Sequence, residues 1–357
     1  MRHFSLTLLS INGIIITLSM QLAKVAGAYS KWGDAVMGRY LGKRFAVCML
    51  AVVVSVFINF ALVRIAPGDP ISVMAGIDNP NPEMITALTE KYGLDKPIIV
   101  QFGVYLTNVM KGDFGFSYRN NLPVTQLVGE RIVPTLLLSL TSLILAVFLG
   151  GSMGLRAARK KDSKFDKFFS NLSYMLDAMP SFWFALMLML LFATALGWLP
   201  TAGMVDVRAG YTGLRKVLDV LVHMLLPVSC ITILTAPAYY RIMRSSALQV
   251  MNEEFVTLYR ACGMSEKEIF RKYILKNAIL PVVTMLGMGL AYSLAGVALV
   301  EIVFAWPGMG RLLLDSINKR DYSVLSGIYL MLSMTIAVVT VLLDAVYAWL
   351  DPRIRLT

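Results

Sequence analysis

Histidine and cysteine are nearly missing from this chain: two histidines, His3 and His223, and three cysteines, Cys48, Cys230 and Cys262, are spread over 357 residues. The histidines stand far apart and without cysteine or carboxylate partners at ligand spacing, so nothing points to a metal site built from this chain alone. Cys48 and Cys230 fall in hydrophobic runs and Cys262 in a polar segment, which leaves no disulfide framework. A phosphate-binding loop is missing too. Gly42-Lys43 is followed by Arg44, and the position five before Gly42 is Met37 rather than glycine. No Ser-His-Asp arrangement is present, so a hydrolytic nucleophile system is not indicated. Charge is scarce as well, at 15% of residues.

What fills the chain instead is apolar: 57% hydrophobic residues and a mean hydropathy of +0.68. A soluble domain needs more polar surface than this, so the chain reads as an all-α integral membrane protein. About 20 apolar residues cross a bilayer, and six runs qualify: 45–65, 132–155, 172–197, 221–242, 282–305 and 323–350. Pro180 and Pro237 fall in or beside two of them, where neighbouring helices can satisfy the freed carbonyls.

Orientation follows from the cations in the connections. Residues 24–44 hold five Lys and Arg, 156–167 hold six and 241–281 hold seven, against three each in 198–220 and 306–321. The ends of the six-span core, its C-terminus included, are therefore expected in the cytoplasm, and 66–131 outside it. The net charge of +11 sits in short turns and makes no basic stripe for nucleic acid. Residues 1–38 admit three readings: a cleaved signal peptide ending near Ala26-Gly27-Ala28, an additional spanning helix, or an untranslated stretch before a start at Met37. Cleavage would leave Arg39, Lys43 and Arg44 on the wrong side.

Between the fourth and fifth runs lies a polar segment with helical order, 243–281. Phe255, Leu258, Tyr259 and Cys262 keep helical spacing, and Gly263 then supplies a left-handed helix end. Ser265 and Glu268 form a capping box, in which the hydroxyl takes the Glu268 N–H and the carboxylate reaches back to Ser265. The second helix is amphipathic: Ile269, Phe270, Tyr273 and Ile274 share a face, and Glu266, Lys267, Arg271, Lys272 and Lys276 lie elsewhere. Such a hairpin either rests on lipid headgroups or docks a soluble partner.

Ionisable residues at membrane depth cost several kcal/mol unless paired or hydrated. Asp177, Glu301 and Asp344 are the candidates, with Arg241 near a span end; Asp344 and Asp351 also fit the cytoplasmic interface. Glu301 stands just before Trp306-Pro307-Gly308-Met309-Gly310 at the outer surface. It reads either as a pathway or outer-gate group, together with Asp177, Trp306, Pro307 and Gly308, or as an interhelical hydrogen-bonding carboxylate.

The hairpin resembles the cytoplasmic EAA-type motif of binding-protein-dependent ABC importer permeases. Glu254-Phe255-Val256, Arg260-Ala261, Gly263 and Leu280-Pro281 look like its dipeptide, oligopeptide and nickel branch. Further landmarks come in order: Pro67-Gly68-Asp69-Pro70, Tyr92 to Pro97, Gly112-Asp113-Phe114-Gly115 with Ser117, Glu130-Arg131 and Pro134-Thr135. They continue with Pro180 to Trp183, Gly197 to Pro200, Arg241 with Arg244-Ser245-Ser246, Val300-Glu301 with Phe304, the Trp306 to Gly310 turn, Asp321-Tyr322 and Leu350 to Arg353. Thr257, Leu258, Tyr259 and Cys262 depart from the smaller or basic residues usual there. The resemblance covers 39–357 as one permease domain.

The resemblance implies a transporter subunit, not an enzyme, in the cytoplasmic (inner) membrane. It would form half of a translocation path with a second homologous permease and receive peptides or a related solute, nickel or metal chelates included, from an extracytoplasmic binding protein. Two ATPase subunits, which would carry the ATP and Mg, would dock on Arg260, Ala261, Gly263, Ser265, Glu268, Ile269, Phe270, Arg271, Tyr273, Leu280 and Pro281. The apolar face Ile269, Phe270, Tyr273 and Ile274 is expected to seat in an ATPase groove, with Arg271 and Lys272 meeting acidic residues. A membrane-embedded enzyme would need paired polar groups on facing spans, and a channel would need no such hairpin.

Overall fold

A computed structural model describes residues 46–58, 60–61, 96–117, 119–293 and 298–350, with isolated residues 42, 83 and 86; side chains are described as far as 342. The expectations for residues 1–38, Pro67 to Pro70, Tyr92 to Asp95 and Asp351 to Arg353, and for the Asp344 side chain, lie outside the described residues. The chain divides into two units, 1–51 with 340–357, and 52–339. Of the first, the described parts are the start of one helix and the end of another.

The described elements are α1 (Ala46–Ile58), α2 (Ile98–Met110), β1 (Phe116–Ser117), β2 (Leu122–Pro123), α3 (Val124–Arg159), α4 (Lys164–Asp177), α5 (Ser181–Leu188), α6 (Gly213–Met251) and α7 (Glu254–Ala261). They continue with α8 (Glu266–Tyr292), α9 (Ala298–Val303), α10 (Met309–Asn318) and α11 (Tyr322–Leu350). A π-helical stretch, Met189–Ala195, extends α5, and another, Phe270–Ile274, lies inside α8. α3, α6, α8 and α11 are long and apolar enough to cross a membrane, and α4 with 181–195 passes the same test only as a bent pair, the form of a broken span or a re-entrant loop.

Two expected spans are corrected. The run 172–197 is not one helix: α4 and α5 meet at 104°. Pro180 is the cause, because it lacks an N–H, takes an extended ψ of 128° and starts α5 as its N-cap. Pro227 and Pro237, by contrast, sit inside the unbroken α6, buried against neighbours. The described residues of the run 282–305 fall on the end of α8 and on α9, and α8 itself begins well before the run, in the polar segment at Glu266. α3 starts at Val124, before the apolar run 132–155.

α3 and α6 form the centre of the second unit. Gly150 and Gly154, one turn apart on α3, let the two backbones touch. A Cβ on Gly150 would stand 2.3 Å from the Ala236 carbonyl oxygen, and one on Gly154 would stand 2.4 Å from that of Tyr240. Around this seam Leu143, Ala146, Tyr239, Met243, Ala278 and Val282 form one apolar cluster, and Leu138, Cys230, Phe304 and Trp306 belong to a second. Near the chain start, Phe102 and Tyr105 of α2 pack on Phe57 of α1 and on Phe60 beyond its end.

Candidate functional site

Two constructions stand at opposite ends of α3. The hairpin touches Leu155, whereas the Trp306 turn touches Pro134 and Thr135. Twenty residues of helix at 1.5 Å each separate these ends by about 30 Å, one hydrocarbon thickness.

The hairpin corner forms as the residues dictate. α7 ends in a Schellman motif: Met264 N–H reaches Tyr259 O at 3.1 Å, Gly263 N–H reaches Arg260 O at 3.0 Å, and Gly263 takes φ +80°. Ser265 Oγ accepts from Glu268 N–H at 3.3 Å and caps α8. The other half of the expected capping box is replaced: the Glu268 carboxylate accepts from Lys272 Nζ at 2.7 Å, one turn along. Arg260 clamps Glu266 across the corner with Nε at 2.6 Å and Nη2 at 3.2 Å, and the Tyr259 and Tyr273 rings lie 4.1 Å apart, tilted by 33°.

The amphipathic face points inward, which corrects the expectation that it seats in a partner's groove. Ile269, Phe270 and Ile274 are buried with Val256, and Leu155, Met251, Phe255 and Tyr259 pack on them. The Arg159 guanidinium lies 3.9 Å over the Phe270 ring. The apolar face of α8 buries itself because α7 and the ends of α3 and α6 already offer it an apolar surface. The exposed surface includes Leu258, Arg260, Ala261, Cys262, Gly263, Ser265, Glu266, Lys267, Arg271 and Lys272. Leu280 is half-buried and Pro281 exposed, further along α8.

Behind the hairpin lies a polar clamp that the sequence did not single out. Asp166, in the polar connection outside the apolar spans, is buried at the start of α4. Its carboxylate accepts from Arg244 Nε at 2.5 Å and Nη2 at 2.7 Å, from Asp162 N–H at 2.9 Å, and from Tyr240 Oη and Ser170 Oγ at 3.3 Å. The Arg244 guanidinium holds this carboxyl down at about 2, against the opposing effect of burial. The clamp ties α4 to α6. Ser163, with Asp166 three residues later, is a capping signal that marks the start of α4. Asp177, at the other end of α4, is half-exposed and pairs with Arg241 Nη2 at 3.0 Å.

At the far end of α3, Glu301 is fully buried. Its Oε1 accepts from Thr135 Oγ1 at 2.9 Å and its Oε2 from Arg311 N–H at 3.0 Å. Thr135 Oγ1 in turn accepts from Met309 N–H at 2.7 Å. Glu301 and Thr135 thus serve the free N–H groups at the start of α10, whose own N-cap, Gly308, has no side chain to do so. Trp306 Nε1 donates to Pro134 O at 2.9 Å, closing the turn onto α3. Glycine is required at 308 for space, since its Cβ would stand 2.2 Å from the Glu301 carboxyl. The structure therefore gathers Glu301, Trp306 and Gly308 into one buried knot and leaves Asp177 elsewhere.

Two family models cover this chain: binding-protein-dependent transport system inner membrane component over residues 146–356, and the corresponding N-terminal model over 37–141. The chain belongs to the binding-protein-dependent transport system inner membrane component family. Family relatives align over nearly their whole length. The glutathione transport system permease protein of Salmonella typhimurium is 35% identical over 319 residues, 89% of this chain and 99% of its own. The oligopeptide transport system permease protein of Bacillus subtilis is 33% identical over 324 residues, covering 89% and 100%. The dipeptide transport system permease protein of Escherichia coli is 34% identical over 334 residues, covering 87% and 98%. Among solved structures, a chain of a methionine ABC transporter in inward-facing conformations matches with a TM-score of 0.50 at 16% identity, over 64% of this chain and 97% of that one. The fold is that of an ABC importer permease. This family member is a multi-pass membrane protein and a transporter subunit.

Proposed function

We propose that the chain is one of two permease subunits of an ATP-driven importer of short peptides. The observation that carries the reading is the end-to-end similarity to permeases named for glutathione, oligopeptides and dipeptides. Its partners are a second homologous permease, two ATPase subunits that carry ATP and Mg, and an extracytoplasmic binding protein. The hairpin end of α3 faces the cytoplasm with the chain's C-terminus, and the Trp306 turn faces outward, in accord with the cation counts of the connections.

Coupling works through a solid block. The ATPases meet the exposed corner Leu258, Ala261, Cys262 and Gly263, flanked by Arg271 and Lys272. Ile269, Phe270 and Ile274 carry the displacement into Leu155 of α3 and Met251 of α6. Close-packed side chains cannot absorb such a shift, so the helix ends move together and the path changes its open side. At the outer end, the knot of Glu301, Thr135 and Trp306 holds the turn rigid against α3 while the spans tilt.

The test is uptake by proteoliposomes holding the chain with its partner subunits and binding protein. ATP-dependent accumulation of labelled di- and tripeptides, glutathione among them, is expected. Accumulation of a nickel chelate with none of any peptide would overturn the substrate assignment.

A further inference from the structure

Between α3, α4 and α6 lies an open-sided apolar groove of about 160 Å³. Leu149, Met153, Phe169, Leu172, Ile233 and Pro237 line it. Its walls reach the surface, with Leu149 42% and Ile233 36% exposed. Gly150 forms part of the floor, and the close α3–α6 approach there fixes the groove's depth.

Charge distinguishes this groove from a plain lipid-facing surface. On α3, Leu149, Met153 and Arg156 follow one another at spacings of four and three and so share a helical stripe, and Lys160 is the residue that caps the helix just beyond it. The apolar run of α3 ends at Arg156, and the two cations are exposed. Neither has an ion-pair partner among the described residues. At 1.5 Å per residue they stand about 5 to 15 Å beyond the groove, the depth at which headgroup phosphates begin once the hydrocarbon ends. We infer that the groove holds an acyl chain of an anionic phospholipid whose phosphate is bound by Arg156 and Lys160. A bound chain would wedge between α4 and α6 beside the Asp166–Arg244 clamp and make the block at this end depend on lipid composition.

The test is native mass spectrometry of the full chain with its partner subunits in mild detergent, titrated with phosphatidylglycerol or phosphatidylcholine. Wild type is expected to retain phosphatidylglycerol in preference to phosphatidylcholine. Each cation near an anionic headgroup contributes about fivefold, so Arg156→Gln with Lys160→Gln should cut that preference by about tenfold to thirtyfold. Ile233→Trp, which fills the groove from its exposed wall, should lose both lipids while its melting in detergent stays within the wild-type range. Equal retention of the two lipids by wild type would overturn the inference, as would undiminished binding by Ile233→Trp. A Met153→Cys cross-link to the second permease would also overturn it, by placing a protein helix in the groove.

Discussion

Gly308→Ala and Glu301→Ala should be nearly equivalent, and together no worse than either alone. Gly308 has φ −101° and ψ 178°, which alanine adopts without strain, so any cost is purely steric. The new Cβ would lie 2.2 to 2.4 Å from the three carboxyl atoms of Glu301. The carboxylate must therefore leave its donors, Thr135 Oγ1 and Arg311 N–H. Hydrogen bonds to a charged group are worth about 1.5–3 kcal/mol each, so displacing two costs about 3–6 kcal/mol. Glu301→Ala removes the same bonds and frees the space, and Gly308→Ala should then add less than about 1 kcal/mol. Gly310→Ala is the control. Its Cβ would stand 2.6 Å from the Ala298 Cα, which is backbone, so its cost should add to that of Glu301→Ala. Thermal unfolding in detergent can be followed by dye labelling of Cys230, which is fully buried in the cluster containing Trp306, in a Cys48→Ser, Cys262→Ser background that removes the two more accessible thiols. Full additivity of Gly308→Ala with Glu301→Ala would refute the reasoning.

The Asp166 clamp gives a pH dependence of known sign. With the folded carboxyl at about 2 against 3.8 for the free group, its stabilisation is complete above the unfolded value and disappears as pH falls through about 2. The melting gap between wild type and Asp166→Asn should thus hold constant above pH 5 and close towards pH 2; a gap unchanged at pH 2 would contradict it. Gly150→Ala meets the Ala236 carbonyl at 2.3 Å, whereas Gly151→Ala meets only Met243 Cε at 3.8 Å. The first should abolish folded protein on size exclusion and the second leave it intact. Phe270→Ala opens the buried hairpin core and should cost about 3–5 kcal/mol in the same melting assay, an effect expected of no exposed hairpin residue.

The hairpin corner was legible because its signals are local. Gly263 needs only its neighbours to end α7, and Ser265 only Glu268 to begin α8. The amphipathic period of α8 was legible too, but not what covers it: Ile269 and Phe270 find α7, Leu155 and Met251 only once the chain has folded. Pro180 and Pro237 look alike in a hydropathy profile. One bends a span and the other does not: Pro237 is buried inside the continuous α6, whereas Pro180 takes an extended ψ and starts α5. Thr135 and Arg244 were visible only as landmarks of the resemblance. Their partners Glu301 and Asp166 lie 166 and 78 residues away, beyond the reach of any spacing argument.

The measurement that bears most directly on the coupling account uses Leu258→Asp, a change at a residue 60% exposed on the corner and outside the hairpin core. Surface substitutions of this kind stay within about 0.5 kcal/mol, so its Cys230 labelling curve should match that of wild type. Tagged chain extracted from membranes should bring down ATPase subunits as wild type and lose them as Leu258→Asp. Retention of the ATPases by Leu258→Asp, or their absence from both preparations, would contradict the assignment of this corner as the coupling surface.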